Sequence, residues 1–425
     1  MFGVMDCNNF FVSCERVFDP SLEGKPVVVL SSNDGCIVSR SQEAKDLGIT
    51  MGLPEFKMRE FLLTRYGSNH PAVEKRSSNF FLYGDMSRRI MSLLAYYAGD
   101  IEVYSIDEAF MNFNGMDCYA AEEKAREIVR KIKKNTGVPV CIGIAPTKTL
   151  AKAANKFAKK YAGYGNVCMI ETEEKRLKAM ERLPVGDVWG IGRRSAELLM
   201  GEGISTAAGL LRRTPFWVKK KLTVTGLRTY MELLGQPVSD LEVSGEKKSI
   251  CVSRSFDKMI TAKEGLEEAV STFASDCSGK LRRQKSVASS VTVFIFTNKH
   301  RKDLPQYYNS GTYVFEEASD DTLEIVSVSE KILDGIFRDG YSYKKAGVIL
   351  NDVCDGSYVQ QNIFSRRPAE KLRTVNAVMD DINVRYGRNS LHVASSGNRN
   401  WKIKKDTLSG CYTTDINDII IVHAD

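Results

Sequence analysis

The chain has 425 residues, 43% hydrophobic and 27% charged; this balance predicts a folded globular protein, and the length exceeds one ordinary core, so about two to four domains are expected. No run of about 18 apolar residues occurs, and the opening MFGVMDCNNF lacks a basic stretch followed by an apolar core, so neither a membrane span nor a secretory signal is expected. Ten scattered cysteines without a C-x-x-C pair, and only four histidines, argue against a disulfide framework or a zinc site and for reduced thiols in the cytoplasm, while a net charge of +7 favours an anionic partner only weakly.

Along the chain, Phe2-Gly3-Val4-Met5 predicts a short strand ending at Asp6, and 26–30 a second. A helix is expected over 79–97. In 101–106, Glu102, Tyr104 and Ile106 alternate with Ile101, Val103 and Ser105, the period of a strand running into Asp107 and Glu108. Residues 119–135 read as an amphipathic helix and 138–144 as a buried strand, and Pro146 opens a lysine-rich helix to Lys160. Strands and helices alternate to about residue 168, as in a sheet covered by helices. Short helices with glycine turns follow to about 236, then a polar tether at 237–247. Strands and helices return over 248–350 as a separate α+β domain. Beyond 352 the chain is polar, and a partly disordered or docking tail is expected.

Five groups of residues are candidates for chemistry. Carboxylates at the ends of neighbouring strands, here Asp6 with Asp107 and Glu108, can hold Mg²⁺ at one edge of a sheet; solvated turn acids are the plain alternative. Lys148, Lys152, Lys156 and Lys160 are spaced by four along one helix face, with Lys159 beside them, either to reach a phosphate or as a solvated basic face. Trp189-Gly190-Ile191-Gly192 precedes a helix that begins near Arg193 and Arg194. Glycines there let backbone N–H groups approach a DNA phosphate without reading sequence, although any interhelical turn uses glycine. Basic residues recur at 219–221, 228, 247–248, 254, 280–283 and 299–302, including Lys248 and Arg254, as a long nucleic-acid track requires. After Cys7, the run Asn8-Asn9-Phe10-Phe11 offers backbone for a triphosphate tail. On an extended chain its adjacent rings cannot both point inward, so one is core and the other is available to a sugar.

Several stretches in one order, MDCNNFFVSCE at 5–15, GKPVVVLSSNDGCIVSRSQEAKDLGI at 24–49, YSIDEAF at 104–110, CIGIAPTKTLAKAANKFAKK at 141–160, LPVGDVWGIGRR at 183–194, SRSF at 253–256 and YKKAGVIL at 343–350, resemble the Y-family (translesion) DNA polymerases, and in particular the bacterial UmuC type. The resemblance implies an α+β multidomain right hand: palm at 1–20 and 76–168, small fingers at 21–75, a helical thumb at 169–236 with a helix-hairpin-helix, a linker at 237–246, a little finger at 247–350, and a tail at 351–425. It implies template-directed primer extension past damaged bases in the SOS response, with two Mg²⁺ held by Asp6, Asp107, Glu108 and the Cys7 carbonyl. Asn9, Phe10, Phe11, Gln42, Lys45 and Lys159 would contact the deoxynucleoside triphosphate, with Phe11 as a steric gate against the ribose 2′-hydroxyl. Gln42 and Lys45 depart from the family, where an aromatic hydroxyl and an arginine are common. Gly190, Gly192, Arg193, Arg194, Lys248 and Arg254 would grip primer-template DNA. Gln360, Ile363 and Phe364 resemble a sliding-clamp peptide, with Ile for the usual Leu. A cleaved UmuD dimer and RecA are implied partners, and a nucleoid-associated place in a bacterial cytoplasm is implied. The rival readings are a palm-fold nucleotide cyclase and a catalytically inactive DNA-binding adaptor; neither would need three acids together with a DNA track and a clamp peptide.

Overall fold

The computed structural model describes residues 1–242, 245–357, 369–387, 389–397 and 404–421, and divides the chain into two units, Met1–Ser244 with Asp406–Asp425, and Gly245–Lys405. The proposed clamp residues Gln360, Ile363 and Phe364 lie outside the described residues. Among the described residues no helix is long and apolar enough to cross a membrane.

The first unit begins β1 (Phe2–Cys7), α1 (Phe10–Phe18), β2 (Val27–Leu30), β3 (Ile37–Arg40), α2 (Gln42–Asp46), α3 (Glu55–Tyr66), β4 (Glu74–Ser77) and α4 (Phe80–Ala98). It continues β5 (Ile101–Val103), β6 (Glu108–Asn112), α5 (Cys118–Thr136), β7 (Val140–Ala145), α6 (Lys148–Lys160) and β8 (Val167–Met169), then the helices α7 (Glu173–Arg182), α8 (Arg193–Gly201), α9 (Ala207–Leu211) and α10 (Pro215–Leu233). A five-stranded sheet of order β5-β6-β1-β7-β8 has β1 antiparallel to both neighbours and β7 parallel to β8. Its central strands are buried on both faces, which is why FGVMDC and VCIGIA read as almost unbroken apolar runs.

The two-residue period of β1 separates its faces. Met5 and Cys7 join a core with α1, α4 and α5, whereas Phe2 and Val4 pack with Phe110, Cys141 and the alanines of α6. Helix α6 lies very close to the sheet. A Cβ on Gly143 would stand 2.1 Å from the Asn155 backbone nitrogen and 2.3 Å from the Ala151 carbonyl. The Asn155 amide then donates to the carbonyls of Val4 at 3.2 Å and Cys141 at 2.8 Å.

Two expectations are corrected here. The alternation in 101–106 does not form one strand. β5 stops at Val103, a turn covers 104–107, and Glu108 opens β6, because the backbone N–H groups of Tyr104 and Ser105 both donate to the Glu108 carbonyl. The two acids therefore sit at the mouth of a hairpin. The segment 8–11 is also not extended: Asn9, with φ of +49°, starts α1, so the rings of Phe10 and Phe11 diverge around a helix.

A small sheet of order β3-β2-β4 with α2 and α3 encloses Val28, Leu30, Ile37, Ile49, Met58 and Leu62. Helices α7 to α10 extend the core on the α6 side, and α10 is interrupted at Thr223, where φ is +65°. The second unit runs β9 (Ile250–Ile260), α11 (Lys263–Arg283), β10 (Ser286–Thr297), β11 (Tyr308–Ser319), α12 (Thr322–Ile336), β12 (Tyr343–Asp355) and α13 (Ala369–Arg385). Its antiparallel sheet of order β11-β10-β12-β9 packs Val291, Val293 and Ile295 against α11 and α12, and its other face carries Thr292, Phe294 and Phe296.

The described part of the tail makes specific contacts. Arg282 of α11 holds Asp380 of α13 through two bonds of 2.7 Å, and residues from Asp406 onward belong to the first unit.

Candidate active site

Asp6 has the parity of Phe2 and Val4, so its carboxylate leaves β1 toward α6, and its register partner across β6 is Glu108. Glu102 of β5 pairs with Phe110 and shares that face. Three acids from three adjacent strands thus face one helix, and α6 answers with lysines. Lys148 bonds Glu102 at 2.5 Å, Lys152 bonds Glu108 at 2.7 Å, and Lys159 bonds Asp6; one turn aside, Lys156 bonds Asp187 at 2.6 Å. The lysine row is therefore neither a solvated face nor wholly a phosphate comb. Its partners come from other elements, which spacing within the helix could not show. The ammonium groups of Lys148 and Lys152 also lie 4.9 Å and 4.7 Å from the ring centres of Phe110 and Tyr104.

A cavity of about 310 Å³ opens beside this face, lined by Asp6, Cys7, Asn9, Phe10, Phe11, Lys45, Asp107 and Lys159, with Val38, Ser39, Arg40 and Met51. Eight residues singled out in the sequence meet there. Arg40 was not singled out as a site residue, although it lies in the 24–49 stretch that carries the resemblance; it sits on β3, and the packing of the small sheet brings it to the cavity. Its buried Nε has no hydrogen-bond partner among the described residues. Lys45 donates to Asn9 Oδ1 at 2.6 Å, and burial, then the charges of Arg40 and Lys159, hold its ammonium below the usual lysine value. Three cations around one cavity make a receptor for a polyanion.

Burial pushes the Asp6 carboxyl up to about 7, against the pull of Lys159 and with Glu108 alongside. Glu108 moves the other way: burial opposes its ionisation, but hydrogen bonds with Asp6 and Lys152 hold it below the usual glutamate value. Asp107 accepts from Ser105 Oγ at 2.6 Å, and its carbonyl accepts from the Cys7 N–H at 2.9 Å. The expected triangle of acids is drawn together only in part. Among the described residues no three His, Cys, Asp or Glu side chains gather around one point: Asp6 and Glu108 meet, while Asp107 turns to Ser105. The donor set still fits a hard divalent cation, because oxygen ligands on Asp6 and Asp107 border the same cavity.

The Phe11 ring forms one wall, stacked on Tyr83 at 4.5 Å and 13° and edge-on to Phe80 at 5.9 Å, while Phe10 is buried. Gln42 does not line the cavity and instead donates to Asp46 at 2.8 Å. The Trp189–Gly192 turn needs its first glycine: Gly190 has φ of +92°, and a Cβ there would lie 2.4 Å from Thr229 Oγ1. Gly192 starts α8 without a side-chain cap, leaving first-turn N–H groups open beside exposed Arg194, while Arg193 pairs with Glu197 at 2.9 Å. Trp189 is no part of that grip; its indole donates to the Tyr104 hydroxyl at 3.2 Å. In the second unit Lys248 is exposed. Arg254, by contrast, shares the parity of Val252 and Phe256, so it leaves the sheet on the helix side and not beside Phe294 and Phe296.

The impB/mucB/samB family matches residues 5–156, the C-terminal domain of that family matches 247–363, and a domain of unknown function matches 373–422. Protein UmuC of Salmonella typhimurium is 38% identical, covering 99% of this chain and all of that one; Protein MucB of Escherichia coli is 34% identical over 99% of each. DNA polymerase IV of Methanoculleus marisnigri is 30% identical over 74% of this chain and 87% of its own. Among solved structures, a Y-family DNA polymerase chimera of Dbh and Dpo4 superposes with a TM-score of 0.65, and an insertion ternary complex of Dbh DNA polymerase with 0.55. Each is 22% identical and covers 83% of this chain and 99% of that one, a likeness of fold. With two family domains in order and relatives matched end to end, the chain belongs to the impB/mucB/samB family, the UmuC type of the Y-family DNA polymerases.

Proposed function

We propose that this chain extends a DNA primer past damaged template bases, with the cavity beside Asp6 as the site of nucleotidyl transfer. The observation that carries the reading is the meeting, in one cavity, of two carboxylates, three cations and an aromatic wall. Arg40, Lys45 and Lys159 line the cavity and hold the triphosphate by their charge. Asp6, Asp107, Glu108 and the Cys7 carbonyl would hold two Mg²⁺ ions, which would supply charge stabilisation at the α-phosphate. Lys159, paired with Asp6, borders the same cavity and would serve the phosphate. Phe11 meets the sugar at C2′ and excludes a 2′-hydroxyl.

On this reading the five-stranded sheet with α4 to α6 is the palm (1–20 and 76–168), the β3-β2-β4 unit is the fingers (21–75), and α7 to α10 are the thumb (169–236). Residues 237–246 are the linker and 247–350 the little finger. First-turn N–H groups of α8 with Arg194, and Lys248, bind the DNA backbone. The SOS response, the sliding clamp, a cleaved UmuD dimer and RecA are carried from the resemblance. The test is primer extension by the purified chain with Mg²⁺ and all four deoxynucleotides on a template with one abasic site. Product beyond the lesion is expected; no addition on damaged or intact template would reject the proposal.

A further inference from the structure

The segment matched to a domain of unknown function ends against the first unit, and its contacts lead to the wall of the cavity. Leu408 forms a parallel bridge with Ser77, the last residue of β4; the Ser77 N–H donates to the Thr407 carbonyl at 3.0 Å, and the Thr407 N–H returns a bond to Ser77 Oγ at 3.1 Å. Asn79, buried, caps α4 by accepting from the Leu82 N–H at 3.2 Å. Its amide nitrogen donates to the Ser409 carbonyl at 3.1 Å and the Gly410 carbonyl at 3.0 Å. Tyr412 stacks on Phe18 of α1 at 5.0 Å.

One oxygen links this segment to the gate. Glu15 Oε1 accepts from Ser409 Oγ at 3.1 Å and from the Tyr83 hydroxyl at 2.5 Å, and the Tyr83 ring is the one on which Phe11 stacks. Glu15 is 2% exposed, so its carboxylate depends on these hydroxyls for solvation. Phe80, another ring against Phe11, is the first residue of α4, directly after the cap held by Ser409 and Gly410. Two of the three rings around Phe11, Tyr83 and Phe80 but not Phe10, are thereby tied to the C-terminal segment.

We infer that the C-terminal segment 406–412 is a positioning element for the nucleotide pocket, acting through Ser409, Glu15 and Tyr83 to hold Phe11 where it discriminates against ribose. The inference rests on the reading of Phe11 as the sugar gate. A well-packed wall is needed because a ring loosened on its outer side yields to a 2′-hydroxyl instead of clashing with it.

The test measures kcat/KM for matched ribonucleotide and deoxynucleotide insertion by the full chain carrying Ser409→Ala, Ser409→Thr, Tyr83→Phe or Phe11→Ala. Ser409→Ala and Tyr83→Phe should raise the ribo-to-deoxy ratio roughly three- to tenfold, the scale of one lost hydrogen bond. Ser409→Thr, which keeps the hydroxyl, should restore the wild-type ratio, and Phe11→Ala should exceed both. A wild-type ratio in Ser409→Ala and Tyr83→Phe alongside a raised one in Phe11→Ala overturns the inference and spares the gate. An unchanged ratio in Phe11→Ala overturns the gate, and the inference with it. A general fall in both kcat/KM values at constant ratio would mark Ser409 as structural only and also overturn it.

Discussion

At the scale of single residues, burial disturbs the ionisation of Asp6 and Lys45 beside the cavity. Glu15 is the clearest case outside the cavity: burial raises its carboxyl above the usual glutamate value, although Tyr83 and Ser409 pull it back. From 4.5, that usual value, upward, the unfolded chain gives up the proton before the folded protein does. The folded state then binds more protons, and stability falls as pH rises through this window until the folded-state value is passed. Glu15→Gln keeps an acceptor for Tyr83 but cannot ionise. Urea unfolding across this range should show the stability difference between variant and wild type moving in the variant's favour as pH rises. A pH-independent difference would refute it.

At the scale of elements, α6 organises the site, and its role was only half legible. Its period, its alanine face and its lysines are plain in KTLAKAANKFAKK, and the apolar run of β7 beside it reads as a buried strand. What those lysines face depends on β5, β6 and β1 coming together side by side, a long-range pairing that no window of sequence contains. The same reason hid Arg40, and it turned the alternation in 101–106 into a hairpin: tertiary pairing of Glu108 with Asp6 outweighed the local period. Lys148 tests the helix as a scaffold. It is 3% exposed and pairs with Glu102, so Lys148→Met leaves the half-buried Glu102 carboxylate with the Glu242 N–H alone and should cost about 2 kcal/mol in urea unfolding. Adding Glu102→Gln should recover most of that loss; no recovery would mean that the pair is not what the substitution disturbs.

At the scale of the whole molecule, the residues legible from sequence were those whose chemistry is local to one motif: Asp6 to Phe11, Asp107-Glu108, Lys159 and the Gly190–Gly192 turn. The tail was the least legible part, because its polar composition matches a disordered segment while its bonds are made to Ser77, Asn79 and Glu15, more than 300 positions earlier. In sequence, the proposed clamp peptide falls between β12 and α13. Ile363→Ala with Phe364→Ala should abolish capture on immobilised sliding clamp while leaving clamp-independent synthesis unchanged; undiminished capture would reject the peptide. The central claim is that the carboxylates beside the cavity perform the transfer, and Asp107→Ala tests it most directly. Extension of a labelled primer with Mg²⁺ should fall below detection while affinity for primer-template DNA stays within about twofold of wild type, because the proposed role of Asp107 is at the reacting phosphate and not on the duplex. Extension at a rate near wild type by that variant would contradict the account.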